Sequence, residues 1–205
     1  MWDGQGRIML EMNTEFLLKT YGAQYDSEAG PWNLSVENKY LEYMFTKFFE
    51  ENFKVLPDMQ VCNIGIGAGY WDRYLSYQIP EGELTSIDID EICCRQLKEC
   101  LVNEKNPNRI HIIHSDVMKV EGKDECFDIV TMVGSARLES GLFREILEKA
   151  FRMLKKGGAM YYQSLDEQEK KQDVLEILGD DMQAEAYLSD ETYGFRAQYW
   201  KLVKR

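Results

Sequence analysis

Between Val61 and Leu75 the chain reads Val-Cys-Asn-Ile-Gly-Ile-Gly-Ala-Gly-Tyr-Trp-Asp-Arg-Tyr-Leu: a short apolar run, three alternate glycines and the start of an amphipathic segment. This stretch constrains the fold more than any other. Glycine at 65, 67 and 69 lets the backbone take positive φ and brings its N–H groups close to a ligand. A helix that opens straight after such a loop leaves its first N–H groups unpaired and adds the positive end of its dipole. Strand, glycine loop and helix in this order predict a nucleotide-binding loop.

The residues around it carry an alternating pattern. Strands are expected at 59–64, 83–88, 109–114, 127–133 and 158–164, and helices at 70–79, 91–103 and 141–155. In the last helix Leu142, Phe143, Ile146, Leu147, Ala150, Phe151 and Leu154 keep helical spacing, and Lys155-Lys156-Gly157-Gly158 closes it with cations and glycine. Alternation of this kind predicts an α/β fold: an open, mostly parallel sheet with helices on both faces. Asp166 and Glu169 read as the N-cap and N3 partner of a further helix that Gly179 stops. Two more strands, 182–189 and 195–203, are joined by a short loop and pair antiparallel. Upstream, Ile8, Met12 and Phe16 recur every four residues as in an amphipathic helix. Ser35 caps a second helix over 36–53, with Val36, Tyr40, Leu41, Met44, Phe45, Phe48 and Phe49 as its apolar stripe. The economical organisation is a single domain over 1–205, with residues 1–55 as a helical extension and 56–205 as the core.

Dinucleotide folds need Gly-x-Gly-x-x-Gly, whose third glycine permits close packing of helix on strand. Here Tyr70 occupies that third position, and no Gly-Lys-Ser/Thr follows to make a phosphate loop. Asp88 ends the second strand, where a carboxylate can accept both hydroxyls of a ribose. Asp116 follows the third strand and can accept from an exocyclic amine, while Ile89 and Val117 offer apolar faces to a purine. A helix N-cap for Asp88 and a turn for Asp116 are the plainer readings of each acid alone. Three features in register on successive strand ends favour an adenosine site.

On these residues, segment 59–164 resembles the class I S-adenosylmethionine-dependent methyltransferases. The resemblance rests on Asn63-Ile-Gly65-Ile-Gly67-Ala-Gly69, Asp88, Asp116-Val117, Phe127-Asp128-Ile-Val and Leu154-Lys-Lys-Gly157-Gly158. It implies a Rossmann-like seven-stranded sheet in the order 3-2-1-4-5-7-6 with strand 7 antiparallel. It further implies S-adenosylmethionine as cofactor, S-adenosylhomocysteine as product, and a cofactor site made of Asn63, Gly65, Gly67, Gly69, Asp88, Ile89, Asp116, Val117 and Val133. One departure stands out. The family usually has Asp or Glu where this chain has Asn63, which accepts a hydrogen bond but carries no charge.

The formal net charge of −12 argues against a nucleic-acid backbone as partner, because phosphate binding rests on Lys and Arg. Five cysteines without a Cys-x-x-Cys pair argue against a metal or disulfide framework, so no metal is expected. No apolar run is long enough to span a bilayer, and the N-terminus lacks the pattern of a signal peptide, which points to the cytoplasm. Methyl transfer from a sulfonium needs alignment more than a base, and no catalytic residue is assigned. After the fourth strand, Val133-Gly134-Ser135-Ala136-Arg137 lacks the Asn/Asp-Pro-Pro-Tyr/Phe of amino-group methyltransferases acting on bases. Arg137 can hold an acidic substrate through its planar fork, or form a salt bridge with Glu139 or Glu145. Tyr21, Tyr25 and Trp32 are candidates for a lid over a small-molecule substrate, and Tyr70 and Trp71 for the pocket wall; His111 and His114 read as structural. The expected function is methylation of a small molecule. The competing readings are a non-catalytic S-adenosylmethionine-binding protein, an RNA or protein methyltransferase, and an aminopropyltransferase.

Overall fold

The computed structural model describes residues 35–194 and 196–205. The expected helix around Ile8 to Phe16 and the lid candidates Tyr21, Tyr25 and Trp32 lie outside the described residues. In chain order the elements are α1 (Val36–Asn52), β1 (Gln60–Ile64), α2 (Tyr70–Gln78), β2 (Glu83–Asp88), α3 (Glu91–Asn103) and β3 (Ile110–His114). Then come a 3₁₀ turn (Val117–Lys119), β4 (Phe127–Val133), α4 (Phe143–Met153), β5 (Leu154–Ser164), α5 (Lys171–Leu178), β6 (Met182–Asp190) and β7 (Ala197–Lys204). The strands form one sheet in the order β3-β2-β1-β4-β5-β7-β6, with β7 antiparallel to both neighbours. That is the order the family resemblance implies.

Period-two alternation decides which helix each strand residue meets. Cys62, Val130, Met160, Tyr162 and Trp200 face one layer and pack with Ile146, Leu147 and Ala150 of α4 and Val174 of α5. Their neighbours Val61, Ile129, Tyr161 and Tyr199 face the other layer. There α1 supplies Leu41, Phe45, Phe48 and Phe49, and α2 supplies Trp71 and Leu75. Rings meet edge-on where Phe49 faces Trp71 (centroids 5.0 Å apart) and stack where Phe48 faces Tyr161 (5.7 Å). The Tyr161 hydroxyl donates to the Phe45 carbonyl at 2.9 Å, so α1 is fastened to the sheet as well as packed on it. Ser35 caps α1 as expected, its hydroxyl accepting from the Asn38 N–H at 3.0 Å. Ser35→Ala is expected to lower stability by about 1 kcal/mol, readable as a shift in the urea midpoint with unchanged slope.

Three boundaries differ from expectation. The helix expected over 141–155 stops at Met153, and β5 begins at Leu154, four residues early. Leu154 pairs with Phe127 before the register shifts around Asp128, and an apolar residue there satisfies a helix face or a strand equally. The helix expected from Asp166 starts at Lys171, with the Asp173 carboxylate accepting from the Lys170 N–H. Asp166 and Glu169 are used elsewhere, as shown below. The last strand begins at Ala197, two residues late.

Candidate functional site

At the C-terminal ends of β1 and β2 a cavity of about 330 Å³ opens. Its floor is Ile64 and Gly65. One wall is Asp88, Ile89, Ser115, Asp116, Val117 and Met118; the other is Ser135, Ala136, Glu139, Ser140, Leu142 and Ile146.

Asp88 organises the first wall. Its Oδ2 accepts from the Ile66 N–H at 2.6 Å and the Gly67 N–H at 3.4 Å, and its Oδ1 from the Asp90 N–H at 2.8 Å. The glycine loop is thereby tied to the end of β2. Asp90 caps α3 by accepting from the Ile92 N–H, so the capping role open to Asp88 falls to its neighbour. Asp116 caps the 3₁₀ turn by accepting from the Met118 N–H at 2.9 Å. Ile89 stands out from the wall with 71% of its surface exposed, although it is a large apolar residue.

The second wall follows β4 through a strained corner. Gly134 has φ +64° and Ala136, which has a Cβ, has φ +66°. Between them the Ser135 hydroxyl donates to the Ile64 carbonyl at 2.8 Å. Gly65 has φ +88°, and a Cβ on it would stand 2.5 Å from the Ser135 Cβ. Only glycine fits there. Gly69, with φ +75°, is the N-cap of α2 and lets α3 approach: a Cβ would lie 3.1 Å from Leu97 Cδ1.

Behind the loop lies a buried polar layer. The Asn63 amide donates to the Gly65 carbonyl at 2.9 Å and to Asp72 Oδ1 at 3.0 Å, and its oxygen accepts from the Thr131 hydroxyl at 2.8 Å. Trp71 Nε1 donates to that hydroxyl at 3.1 Å. Burial pushes the Asp72 carboxyl up to about 6, against the Ser86 hydroxyl and the Asn63 amide, which favour its charged form. Asp72 escaped the reading of the sequence because an acid in a first helical turn is ordinary. Ser135 and Ala136 carry no motif signal at all.

The other candidates divide. Gly65, Asp88, Ile89, Asp116 and Val117 meet at the cavity. Gly67 reaches it through the Asp88 bond, and Asn63 lies one layer behind. Val133 packs in the α1-side core instead. Tyr70 and Trp71 also turn to that side, with Tyr70 6.0 Å and Trp71 5.3 Å from the Phe45 ring centre. Arg137 pairs with Asp166 (Nε to Oδ2, 2.9 Å) and Glu169 (Nε to Oε1, 3.1 Å), and its guanidinium lies 4.8 Å from the Phe143 ring centre. His111 Nε2 lies 3.1 Å from a Glu83 carboxylate oxygen, and His114 Nε2 3.1 Å from the Ile89 carbonyl.

Residues 61–158 match the family model of the methyltransferase domain. The demethylmenaquinone methyltransferase of Listeria welshimeri is 26% identical over 121 residues, which are 57% of this chain and 50% of that protein. The chain thus spans about half the length of the curated relatives it matches. Among solved structures, a S-adenosylmethionine-dependent methyltransferase from Aquifex aeolicus superposes with a TM-score of 0.61 at 20% identity, covering 78% of this chain and 89% of that one. The [4+2]-cyclase SpnF superposes at 0.66 and 13% identity, over 78% of this chain and 80% of its own. At such identities the structural likeness shows the fold. Residues 61–158 thus match a methyltransferase domain, and the sheet that carries them has the strand order of the class I S-adenosylmethionine-dependent methyltransferase fold, which together support placing the chain with that family.

Proposed function

We propose that the chain transfers the methyl group of S-adenosylmethionine to a small-molecule acceptor, with the cavity beside Gly65 as its cofactor site. The observation that carries this reading is the convergence of Asp88, Asp116 and Gly65 on one cavity of about 330 Å³, a size suited to small ligands. The residues present suit the cofactor. Asp88 Oδ1 holds one backbone N–H and keeps a lone pair for a ribose hydroxyl, while Oδ2 holds two, of which the long one from Gly67 at 3.4 Å is the one a second ribose hydroxyl would displace. Asp116 accepts from the adenine amine, and Ile89 and Val117 flank the purine. The glycine loop lets the methionine half lie against bare backbone. When bound, the cofactor supplies a methyl group already activated as a sulfonium. The protein then holds the acceptor in line with it and excludes water.

The names of the relatives and the acidic balance support a small acceptor over a nucleic acid. The test pairs calorimetry against S-adenosylmethionine and S-adenosylhomocysteine with transfer of labelled methyl to a panel of acceptors, demethylated quinones first. Micromolar binding with transfer to a panel member is the expected result. Absence of binding at millimolar ligand overturns the cofactor site. Binding without transfer to any acceptor overturns the enzymatic reading in favour of a ligand-binding role.

A further inference from the structure

The layer behind the glycine loop holds a carboxylate that the proposed chemistry does not use. Asp72 is fully buried in the first turn of α2. Its Oδ1 accepts from Asn63, while its buried Oδ2 lies beside the Ser86 hydroxyl, which favours the charged form but is not in hydrogen-bond geometry, and no other described residue donates to Oδ2. Both N–H groups of Asn63 are committed, one to Asp72 and one to Gly65, and its oxygen is committed to Thr131. The amide can point only one way, because a flip would set its oxygen against two acceptors. A carboxylate at 63 would stand against the carboxylate at 72, two buried like charges in contact. Asn63 and Asp72 therefore form one unit, in which the amide is the residue that the acid at 72 requires.

Folding alone does not ask for a charge at 72. An amide there would accept the same bond from Asn63, turn its NH₂ toward the Ser86 hydroxyl and avoid the cost of burying an ion. The charge sits two hydrogen bonds from the Gly65 carbonyl, which forms the cavity floor. We propose that Asp72, acting through Asn63, is a positioning anion behind the glycine loop that makes the site select a cationic ligand, favouring sulfonium over neutral thioether. This inference rests on the S-adenosylmethionine reading.

The titratable groups that face Asp72 are Asp88 at the end of β2, Cys62 of β1 and Cys94 of α3. Burial keeps both thiols protonated, Cys94 pushed up to about 11 and Cys62 further. Asp72 itself ionises near 6. A bound cation favours the ionised form, so the affinity for a cation rises as pH increases through that region.

The experiment is calorimetry with S-adenosylmethionine and S-adenosylhomocysteine between about pH 5 and 8, on the wild type, Asp72→Asn and the swap Asn63→Asp/Asp72→Asn. In the wild type, S-adenosylmethionine should bind about tenfold tighter at the high end than the low, the scale of a weakly screened interaction between two unit charges inside a protein, with a smaller change for S-adenosylhomocysteine. Asp72→Asn should weaken S-adenosylmethionine selectively, flatten its pH response and melt no lower than the wild type. The swap keeps one charge and reverses the bond between the two residues but forfeits the amide bond to the Gly65 carbonyl, so the preference for S-adenosylmethionine should return while the affinity for both ligands falls. If Asp72→Asn melts normally and binds both ligands as the wild type does, or weakens both equally, the inference is overturned. A wild type that binds neither ligand overturns the underlying cofactor reading instead.

Discussion

Asp88→Ala is expected to weaken S-adenosylmethionine binding by a factor of at least about a hundred in a chain that still folds. The size follows from what the carboxylate does. Hydrogen bonds to a charged acceptor are worth roughly 1.5–3 kcal/mol each, so losing the two ribose hydroxyl contacts proposed for Asp88 removes ~3–6 kcal/mol, and each 1.4 kcal/mol is tenfold in affinity. The alanine also releases the Ile66, Gly67 and Asp90 N–H groups that Asp88 now holds. The glycine loop then loses its tie to β2 and must be ordered by the ligand, which lowers affinity further. The fold survives because Gly65 N–H still donates to the Ile87 carbonyl at 2.9 Å and the core beneath is untouched. Asp116→Ala should cost less, about tenfold, since one amine contact is lost. Calorimetry on both variants, with circular dichroism to show that they are folded, decides it. Affinity of Asp88→Ala within threefold of the wild type would refute the ribose role.

Alternating strands and helices gave an open, mostly parallel sheet with an antiparallel tail pair, and the order 3-2-1-4-5-7-6 came only through the family resemblance that the motifs over 59–164 carry. Asp88, Asp116 and the glycines at 65, 67 and 69 could be placed without knowing how any side chain packs. The errors sit where one residue type serves two local structures. Leu154 satisfies a helix stripe and a buried strand alike, so only its pairing with Phe127 settles it. Asp166 and Glu169 have the spacing of a capping box, but their partner is Arg137, 29 residues away from Asp166 in sequence. Val133 alternates correctly along β4, yet sequence alone does not say which face the cavity is on, and it falls on the face that α1 covers. The Asn63–Asp72 pair was illegible for another reason. Asn63 could be seen as a departure from the family, but its explanation lies nine residues on in a position that reads as a routine helix-start acid.

Arg137→Ala is expected to destabilise the fold by roughly 2–4 kcal/mol near neutral pH, the scale of breaking a largely buried ion pair. Glu169 is 1% exposed, and its carboxylate accepts from the Tyr162 hydroxyl and from Arg137. Its backbone carbonyl receives Gln198 Nε2 at 3.0 Å and Arg196, so the segment between β5 and α5 is folded onto β7 around this one residue. Burial raises the Glu169 carboxyl above its usual range of about 4.5, and Arg137 is among the groups that hold it down. The sign of the pH effect follows. At a pH below the unfolded-state value the carboxyl is protonated in both states, and burying it costs little with or without Arg137. As pH rises through the folded-state value the buried group must ionise, and only the wild type offers it a guanidinium. The gap in stability between Arg137→Ala and the wild type should therefore widen from about pH 4.5 to 7.5 in urea melts. Arg137→Lys should recover part of it, since an ammonium supplies charge but not the planar fork that reaches both carboxylates and lies over Phe143. A substrate ligand would behave differently, raising KM without moving the melt. An unshifted urea midpoint for Arg137→Ala at both pH values would return Arg137 to the acceptor site.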